Sequence, residues 1–256
     1  MAVSSVLPLG IDTLVKCSAA ALANAETASF LGRNPVFWGR YFYAPGQKNS
    51  AGKPDSHYSA AENGFLRANN IKLLPIARQT GNVGGDAARA DKDAKNNVAA
   101  LFEAIPAAYL TGADSTPLMF LDVEQSNPMS AEYYATWSKK VADYSRDASS
   151  NRVQIRPAIY AGPKATKTWK ALSVALSNGS ACYGIWSARY YYGSPVPPTW
   201  DDTLVTPDGS PAPPVLAWQY WASADDAKPA FNFDASISSP AHFDALLDGL
   251  IMPPVS

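Results

Sequence analysis

Eight short apolar runs recur along this chain of 256 residues, and most of them precede a segment with helical periodicity. The runs that we predict as strands are Val6 to Thr13, Phe37 to Tyr43, Ile71 to Arg78, Pro117 to Glu124, Val153 to Tyr160, Tyr183 to Tyr190, Pro214 to Trp221 and Phe231 to Ile237. The predicted helices are Ser18 to Leu31, Ser59 to Asn69, Asp86 to Leu110 with an interruption at Pro106, Ser130 to Ser145, Lys164 to Leu176 and Ala241 to Leu250. This alternation favours parallel strands covered by helices.

The number of strands and the length of the chain predict an α/β fold, a single (β/α)8 barrel of the TIM type with its active site at the C-terminal ends of the strands. No linker-like change in composition divides residues 1–256, so we expect one barrel domain. An open doubly wound sheet is the competing architecture. The Gly-rich segment Gln79 to Gly85 has neither Walker nor dinucleotide-binding spacing, which argues against that sheet. The Pro-rich segment Tyr191 to Pro213 is predicted as a loop in place of a helix.

The fourth run ends in two carboxylates, Asp122 and Glu124, with one residue between them. Because side chains alternate across a strand, both acids point to the same face, roughly 6–7 Å apart along the backbone. Carboxylates at that separation perturb each other's pKa, which is how acid/base chemistry at neutral pH begins. A strand that has simply reached solvent also ends in acids, so the pair alone leaves both interpretations open.

Polar and aromatic side chains follow the other predicted strands at the same end. The resulting candidates are Asp12, Arg40, Tyr41, Arg78, Asp122, Glu124, Tyr160, Trp186, Arg189, Tyr190, Trp218 to Tyr220, and Asp234. In a barrel these strand ends converge, so we expect four carboxylates at one mouth. The arginines among the candidates either bind a substrate carboxylate or form buried ion pairs with Asp12 or Asp234.

Composition excludes several classes of function. The net charge is −1, with 21 basic and 22 acidic residues scattered along the chain, so no basic stripe is available for nucleic acid. No apolar run approaches the roughly 18 residues of a membrane span. Only two histidines, His57 and His242, and two cysteines, Cys17 and Cys182, are available, so a His/Cys zinc cluster is not supported, and we expect no metal or cofactor. The N-terminal segment has no basic n-region and Asp12 interrupts its apolar stretch, so we expect no export signal.

Several strand-end motifs occur together in one order along nearly the whole chain. They are GID (Gly10 to Asp12), LDVE (Leu121 to Glu124), IYAG (Ile159 to Gly162), IWSARY (Ile185 to Tyr190), AWQYW (Ala217 to Trp221) and FDASI (Phe233 to Ile237). This ordered set resembles family 25 glycoside hydrolases, the lysozyme-type muramidases, and a related group of uncharacterised glycoside-hydrolase-like barrel domains. The segments Arg40 to Tyr43 and Ser59 to Arg78 look closer to the uncharacterised group.

The resemblance implies a retaining muramidase that cleaves the β-1,4-linked amino-sugar backbone of peptidoglycan. It implies Glu124 as the general acid and Asp122 as the group that orients the reacting centre, with Asp12 and Asp234 at the same mouth. The substrate's own acetamido group would then act as the nucleophile, an exception to the scheme with two catalytic carboxylates. The residues expected to contact sugars are Tyr41, Tyr160, Trp186, Arg189, Trp218, Gln219 and Tyr220.

Two alternatives stay open at this point: a chitinase-like family 18 hydrolase, and a catalytically inactive glycan-binding barrel. Family 18 enzymes place further aspartates at two-residue intervals before the acid, whereas Phe120 and Leu118 stand there in this chain. The expected partner is a polysaccharide, and a delivery machine or an immunity protein is a further candidate partner of a monomeric, antibacterial enzyme. Such an enzyme is expected to be made in the cytoplasm and to reach the wall by non-classical export, injection or lysis.

Overall fold

A closed barrel of eight strands is the central feature of the described part of the chain. The structure is a computed structural model that describes residues 8–23, 35–43, 57–78, 82–124, 126–190, 196–209, 212–222 and 233–255. The strands are β1 (Leu9–Asp12), β2 (Phe37–Phe42), β3 (Lys72–Arg78), β4 (Leu118–Asp122), β5 (Arg156–Ala161), β6 (Ile185–Ala188), β7 (Val215–Trp221) and β8 (Asp234–Ser238). Each strand pairs with its neighbours in sequence, and β8 closes the ring against β1. The predicted eight-stranded α/β barrel is therefore confirmed.

The direction of β8 differs from the prediction of parallel strands throughout. Strands β1 to β7 pair in parallel, whereas β8 is antiparallel to both β7 and β1. A parallel strand needs a crossover connection, usually a helix, while an antiparallel strand needs only a short return. The interval between Trp221 and Asp234 is short enough for the return. As a result, β8 begins at the end of the barrel where the other strands finish.

The helices are α1 (Asn63–Ala68), α2 (Ala87–Ala104), α3 (Ala131–Ala148), α4 (Thr166–Ser177), α5 (Asp202–Val205) and α6 (Phe243–Asp248). Residues 19–23 are helical as well. The carboxylate of Asp86 accepts a hydrogen bond from the Arg89 N–H at 2.9 Å and caps α2. Helix α2 ends two residues before Pro106, at the predicted interruption, because proline disfavours helix at the preceding residue. The short α5 lies within the segment that was predicted as a loop.

Two faces of the strands bury different sets of side chains. The outward set packs with the helices in the larger hydrophobic cluster. The inward cluster consists of Phe37, Leu74, Ile76, Leu118, Phe120, Ala158, Tyr160, Trp186, Leu216, Ala217, Leu246 and Leu250. Successive side chains of a strand point to opposite faces, so every second residue counted from a member of the inward cluster also points inward. This alternation identifies the inward residues at the ends of the barrel.

One end of the barrel is filled by the C-terminal segment. Leu246 and Leu250 belong to the inward cluster. The Leu118 N–H at the start of β4 donates to the Gly249 carbonyl at 2.7 Å, and the Leu73 N–H donates to the Ile251 carbonyl at 2.7 Å. Polar side chains line the opposite end of the barrel, where strands β1 to β7 finish. No helix in the described ranges has the length and apolar character to cross a membrane.

Candidate active site

The mouth of the barrel is a layer of inward-facing polar side chains, one from each of seven strands. These are Asp12 (β1), Tyr41 (β2), Arg78 (β3), Asp122 (β4), Tyr160 (β5), Gln219 (β7) and Asp234 (β8). The strand register sets this layer, since Asp122 is the Cα partner of both Arg78 and Tyr160 and Asp12 is the partner of Asp234. The mouth therefore gathers three of the four predicted carboxylates directly on the strands.

Gln219 links the two aspartates on either side of the barrel closure. Its Nε2 donates to Oδ1 of Asp12 at 2.9 Å and to Oδ2 of Asp234 at 3.2 Å. The hydroxyl of Tyr41 also lies 3.5 Å from Oδ2 of Asp12. Burial of Asp12 raises the pKa of its carboxyl well above the usual range, and the nearby charge of Asp234 raises it further. Asp12 thus keeps its proton to a higher pH than an ordinary aspartate does.

A chain of hydroxyls continues from Gln219 toward solvent. The Tyr160 hydroxyl donates to Oε1 of Gln219 at 2.5 Å and lies 3.3 Å from the hydroxyl of Tyr190. Burial raises the pKa of Tyr190 to about 12, and the charges of Asp234 and Glu124 contribute to the increase. Burial likewise raises the pKa of the Tyr160 hydroxyl. Both phenols are neutral near pH 7. Because the Tyr160 proton goes to Gln219, the Tyr160 oxygen can accept the Tyr190 hydrogen, and both oxygens can accept hydrogen bonds at the mouth.

The predicted acid pair has one buried and one exposed member. Asp122 is the last residue of β4 and is 4% exposed, whereas Glu124 lies on the exposed rim two residues later. The Val123 N–H donates to the Tyr160 carbonyl at 3.0 Å, which extends the strand pairing past Asp122. The Glu124 carbonyl then accepts from the Asn127 N–H at 3.0 Å as the chain turns. Glu124 therefore lies at the rim of the mouth, above Asp122.

Trp186 is placed beneath the mouth layer. Its indole N–H donates to Oγ of Ser236 at 3.1 Å, and its ring meets that of Tyr160 edge-on at 4.9 Å between centroids. It also meets the ring of Phe120 at 5.8 Å. Trp186 is almost completely buried, so in this structure it supports Tyr160 from below and offers no open platform for a sugar.

Three residues expected to contact sugars lie away from the mouth. Trp218 and Tyr220 flank Gln219 in sequence and therefore face outward, where both are fully buried in the larger hydrophobic cluster. The Trp218 indole N–H donates to the Arg189 carbonyl at 2.7 Å. The Arg189 guanidinium donates to the Leu204 carbonyl of α5 at 3.4 Å. The placement of these three side chains does not support contact with a substrate at the mouth.

The arginines separate into different environments. Arg40 faces outward, is fully buried and forms an ion pair with Glu62 at 3.0 Å, so its partner is neither Asp12 nor Asp234. Arg78 faces the mouth, with its guanidinium 5.1 Å from the centroid of the Tyr41 ring. Arg78 and Tyr190 are among the predicted strand-end candidates, although neither is among the residues expected to contact sugars. The position of Arg78 beside Asp122 depends on the strand register, which the sequence does not reveal.

Both cysteines, Cys17 and Cys182, are free thiols. Among the described residues, no group of three or more His, Cys, Asp and Glu side chains has the arrangement needed to hold a metal ion. The chemistry that the described mouth offers is therefore that of carboxyl groups, phenols, one amide and one guanidinium.

No family model and no curated protein sequence matches this chain. Solved structures with a similar fold include an uncharacterized protein of B. stearothermophilus, which is 21% identical in sequence and has a TM-score of 0.69. The alignment covers 95% of this chain and 100% of that protein's chain. The catalytic domain of endolysin Ply40, from bacteriophage P40 of Listeria monocytogenes, is 15% identical, with 96% and 99% covered and a TM-score of 0.52. The Clostridium perfringens spore cortex lytic enzyme SleM is 14% identical, with 96% and 71% covered and a TM-score of 0.51. These likenesses show a shared fold, which agrees with the barrel implied by the strand-end motifs.

Proposed function

We propose that this protein is a glycoside hydrolase that cleaves the β-1,4-linked amino-sugar backbone of peptidoglycan, with Glu124 as the general acid. The observation that carries the proposal is the convergence of Asp12, Asp122, Asp234 and Glu124 on one end of a closed barrel. Two of the structures that share the fold are a phage endolysin domain and a spore cortex lytic enzyme, which supports peptidoglycan as the first substrate to test.

Glycosidic cleavage requires a proton for the departing oxygen and negative charge close to an oxocarbenium-like transition state. Glu124 suits the first task because its exposed side chain lies at the rim, where a polymer can reach it. Asp122 suits the second because it is buried on the same face, two residues before Glu124. The division of roles follows from exposure: the acid must reach the leaving oxygen, while the supporting carboxylate is held in place beneath it.

In the proposed mechanism the acetamido oxygen of the substrate attacks its own anomeric carbon. The bond from that carbon to the glycosidic oxygen breaks, and the oxygen takes the proton of Glu124. Asp122 accepts a hydrogen bond from the acetamido N–H and stabilises the positive charge of the cyclic intermediate. Water then attacks the anomeric carbon as the bond from that carbon to the acetamido oxygen breaks, and water gives a proton to Glu124, which restores the enzyme and the acetamido group and retains the configuration.

Neutral tyrosine hydroxyls of the mouth complete the proposed site. Tyr160 and Tyr190 present hydroxyls linked at 3.3 Å, and Tyr41 presents a third beside Asp12. The protons of Tyr160 and Tyr41 go to Gln219 and Asp12, so their oxygens suit the hydroxyl and acetamido N–H donors of a sugar. Gln219 holds this arrangement together through its contacts with Tyr160 and the two aspartates.

The test is fragment release from purified peptidoglycan, followed by mass spectrometry of the new reducing ends. We compare the wild type with Glu124→Gln and with Glu132→Gln, which changes an exposed glutamate on α3 as a matched control. The wild type and the control are expected to release fragments that end in reducing muramic acid. Loss of general acid catalysis is expected to slow Glu124→Gln by about 100-fold to 10,000-fold.

Other outcomes distinguish the alternatives. Equal rates for Glu124→Gln and the wild type would remove Glu124 as the acid. Cleavage of chitin oligomers without cleavage of peptidoglycan would favour the chitinase-like reaction. Retention of glycan strands by the protein without release of any fragment would favour a noncatalytic glycan-binding barrel.

A further inference from the structure

Arg78 is a cation held in an otherwise acidic mouth. It is the last residue of β3, and its Cα partner on β4 is Asp122. The guanidinium lies over the Tyr41 ring at 5.1 Å, and this cation–π contact fixes its position on the β2 and β3 side of the mouth. The other two arginines at predicted strand ends have their own acceptors, Glu62 and the Leu204 carbonyl.

The Nη1 atom of Arg78 is buried and makes no hydrogen bond within the described part of the chain. A buried donor on a charged group is costly when it has no acceptor, and the cost is recovered when a ligand supplies one. The planar guanidinium matches the geometry of a carboxylate more closely than that of a neutral oxygen. The acceptor that best fits this position is therefore a carboxylate carried by the substrate.

We propose that Arg78 determines specificity for an acidic sugar by binding the free lactyl carboxylate of an N-acetylmuramyl unit that carries no peptide. This inference rests on the proposed function, because it names the substrate class of the same mouth. In intact peptidoglycan that carboxylate is converted to an amide wherever a stem peptide is attached. The preferred substrate is thus a glycan strand whose peptides have already been removed, so the reaction that supplies it is an amide hydrolysis.

The surrounding acids sharpen this selectivity. Asp122 lies on the adjacent strand, and Glu124 stands on the rim above it. The negative charges of Asp122 and Glu124 repel an anionic group elsewhere in the mouth, so a carboxylate is accommodated only where it contacts the Arg78 guanidinium. Asp12 and Asp234 lie around the closure of β1 and β8, on the far side of β2 from β3. The arrangement favours a neutral amino-sugar polymer with an acidic group at one defined place.

The experiment measures binding apart from turnover. Oligomers of alternating N-acetylglucosamine and N-acetylmuramic acid are prepared with free lactyl carboxylates and, as a matched set, with those groups converted to methylamides. Dissociation constants are measured by calorimetry for the full chain carrying Glu124→Gln, alone and combined with Arg78→Gln, Arg78→Lys or Arg189→Gln. Arg189→Gln is the control, since that arginine lies outside the mouth.

We expect the acidic oligomer to bind about tenfold more tightly than the methylamide in the parent, as is typical of a hydrogen bond to a charged group. Arg78→Gln should bring that ratio to one or below, because the repulsion by Asp122 remains; Arg78→Lys should restore part of it, and Arg189→Gln should leave it intact. A parent ratio near one, or an Arg78→Gln protein that binds both oligomers more weakly with an unchanged ratio, would overturn the inference. Rates with Glu124 present are measured separately, so absence of cleavage alongside a preserved binding ratio counts against the proposed function only.

Discussion

Asp12, the last residue of β1, and Asp234, the first residue of β8, are directly opposed across an antiparallel pair, and Nε2 of Gln219 donates to both carboxyl groups. This relationship depends on the reversed direction of β8. Had β8 run parallel to β1, its first residue would lie at the opposite, filled end of the barrel. The reversal therefore brings a second carboxyl group next to Asp12 and creates the electrostatic environment of the mouth.

Asp12→Asn is expected to stabilise the protein more as the pH rises. The pKa of Asp12 is raised in the folded state, mainly by burial, so between the two pKa values the folded chain binds more protons than the unfolded chain. The contribution of Asp12 is then most favourable below the unfolded pKa and is lost as the pH rises toward the folded pKa. Asparagine stays neutral and still offers an acceptor to Gln219. Urea unfolding at about pH 4.5 and about pH 7.5 checks this, with the larger gain for Asp12→Asn expected at the higher pH. The same gain at both values would contradict a raised pKa.

Gln219→Met is expected to lower both stability and activity. The substitution keeps the volume but removes the donor to Asp12 and Asp234 and the acceptor for Tyr160. Leaving such buried polar groups without partners costs about 1–3 kcal/mol of unfolding free energy. Displacement of the carboxyl groups should slow glycan cleavage by about 100-fold. Gln154→Met, before β5 at the other end of the barrel, serves as the control in urea unfolding and rate measurements, and equal effects of both changes would refute this role of Gln219.

Gly39→Ala is expected to disturb Asp12 from the neighbouring strand. A Cβ at Gly39 would lie 2.7 Å from Cβ of Asp12 and 3.0 Å from Cδ1 of Ile76, so at least one of them must move. Overpacking of this kind costs about 1–3 kcal/mol. At Gly162, just beyond β5, an added Cβ would meet only the Ala188 carbonyl, at an ordinary 3.5 Å. Cleavage rates per folded molecule should fall for Gly39→Ala and stay near the wild-type value for Gly162→Ala, and the reverse order would contradict the assignment.

Glu62→Gln is expected to destabilise the fold strongly. Glu62 pairs with the fully buried Arg40 at 3.0 Å and also accepts from the Cys17 N–H at 2.8 Å. Removing one charge of a buried pair leaves the other uncompensated, at a cost of about 3–5 kcal/mol. The exposed pair of Lys139 and Asp143 on α3 offers the contrast, since Lys139→Ala should cost only about 0.3–0.5 kcal/mol. Urea midpoints measure both changes, and costs of similar size would argue against a structural role for the buried pair.

Much of the site could be predicted because its signals are local. The alternation of β4 puts Asp122 and Glu124 on one face whatever the fold, and the structure keeps them at the end of that strand. The same local rule left two choices open on β7, where either Gln219 or its neighbours Trp218 and Tyr220 could face inward. The sequence analysis assigns all three to sugar contacts, but both rings pack in the outer hydrophobic cluster and only the Gln219 amide faces the mouth.

By itself the sequence determined the number and order of the strands, the placement of the acid pair and the end of the barrel where the polar residues gather. These follow from hydrophobic periodicity and strand-helix alternation, which act over a few residues at a time. Only the tertiary structure decided the direction of β8, the inward face of β7 and which arginine lies at the mouth. Those features depend on pairings between residues far apart in the chain, such as Asp12 with Asp234 and Arg40 with Glu62, and local patterns carry no information about them.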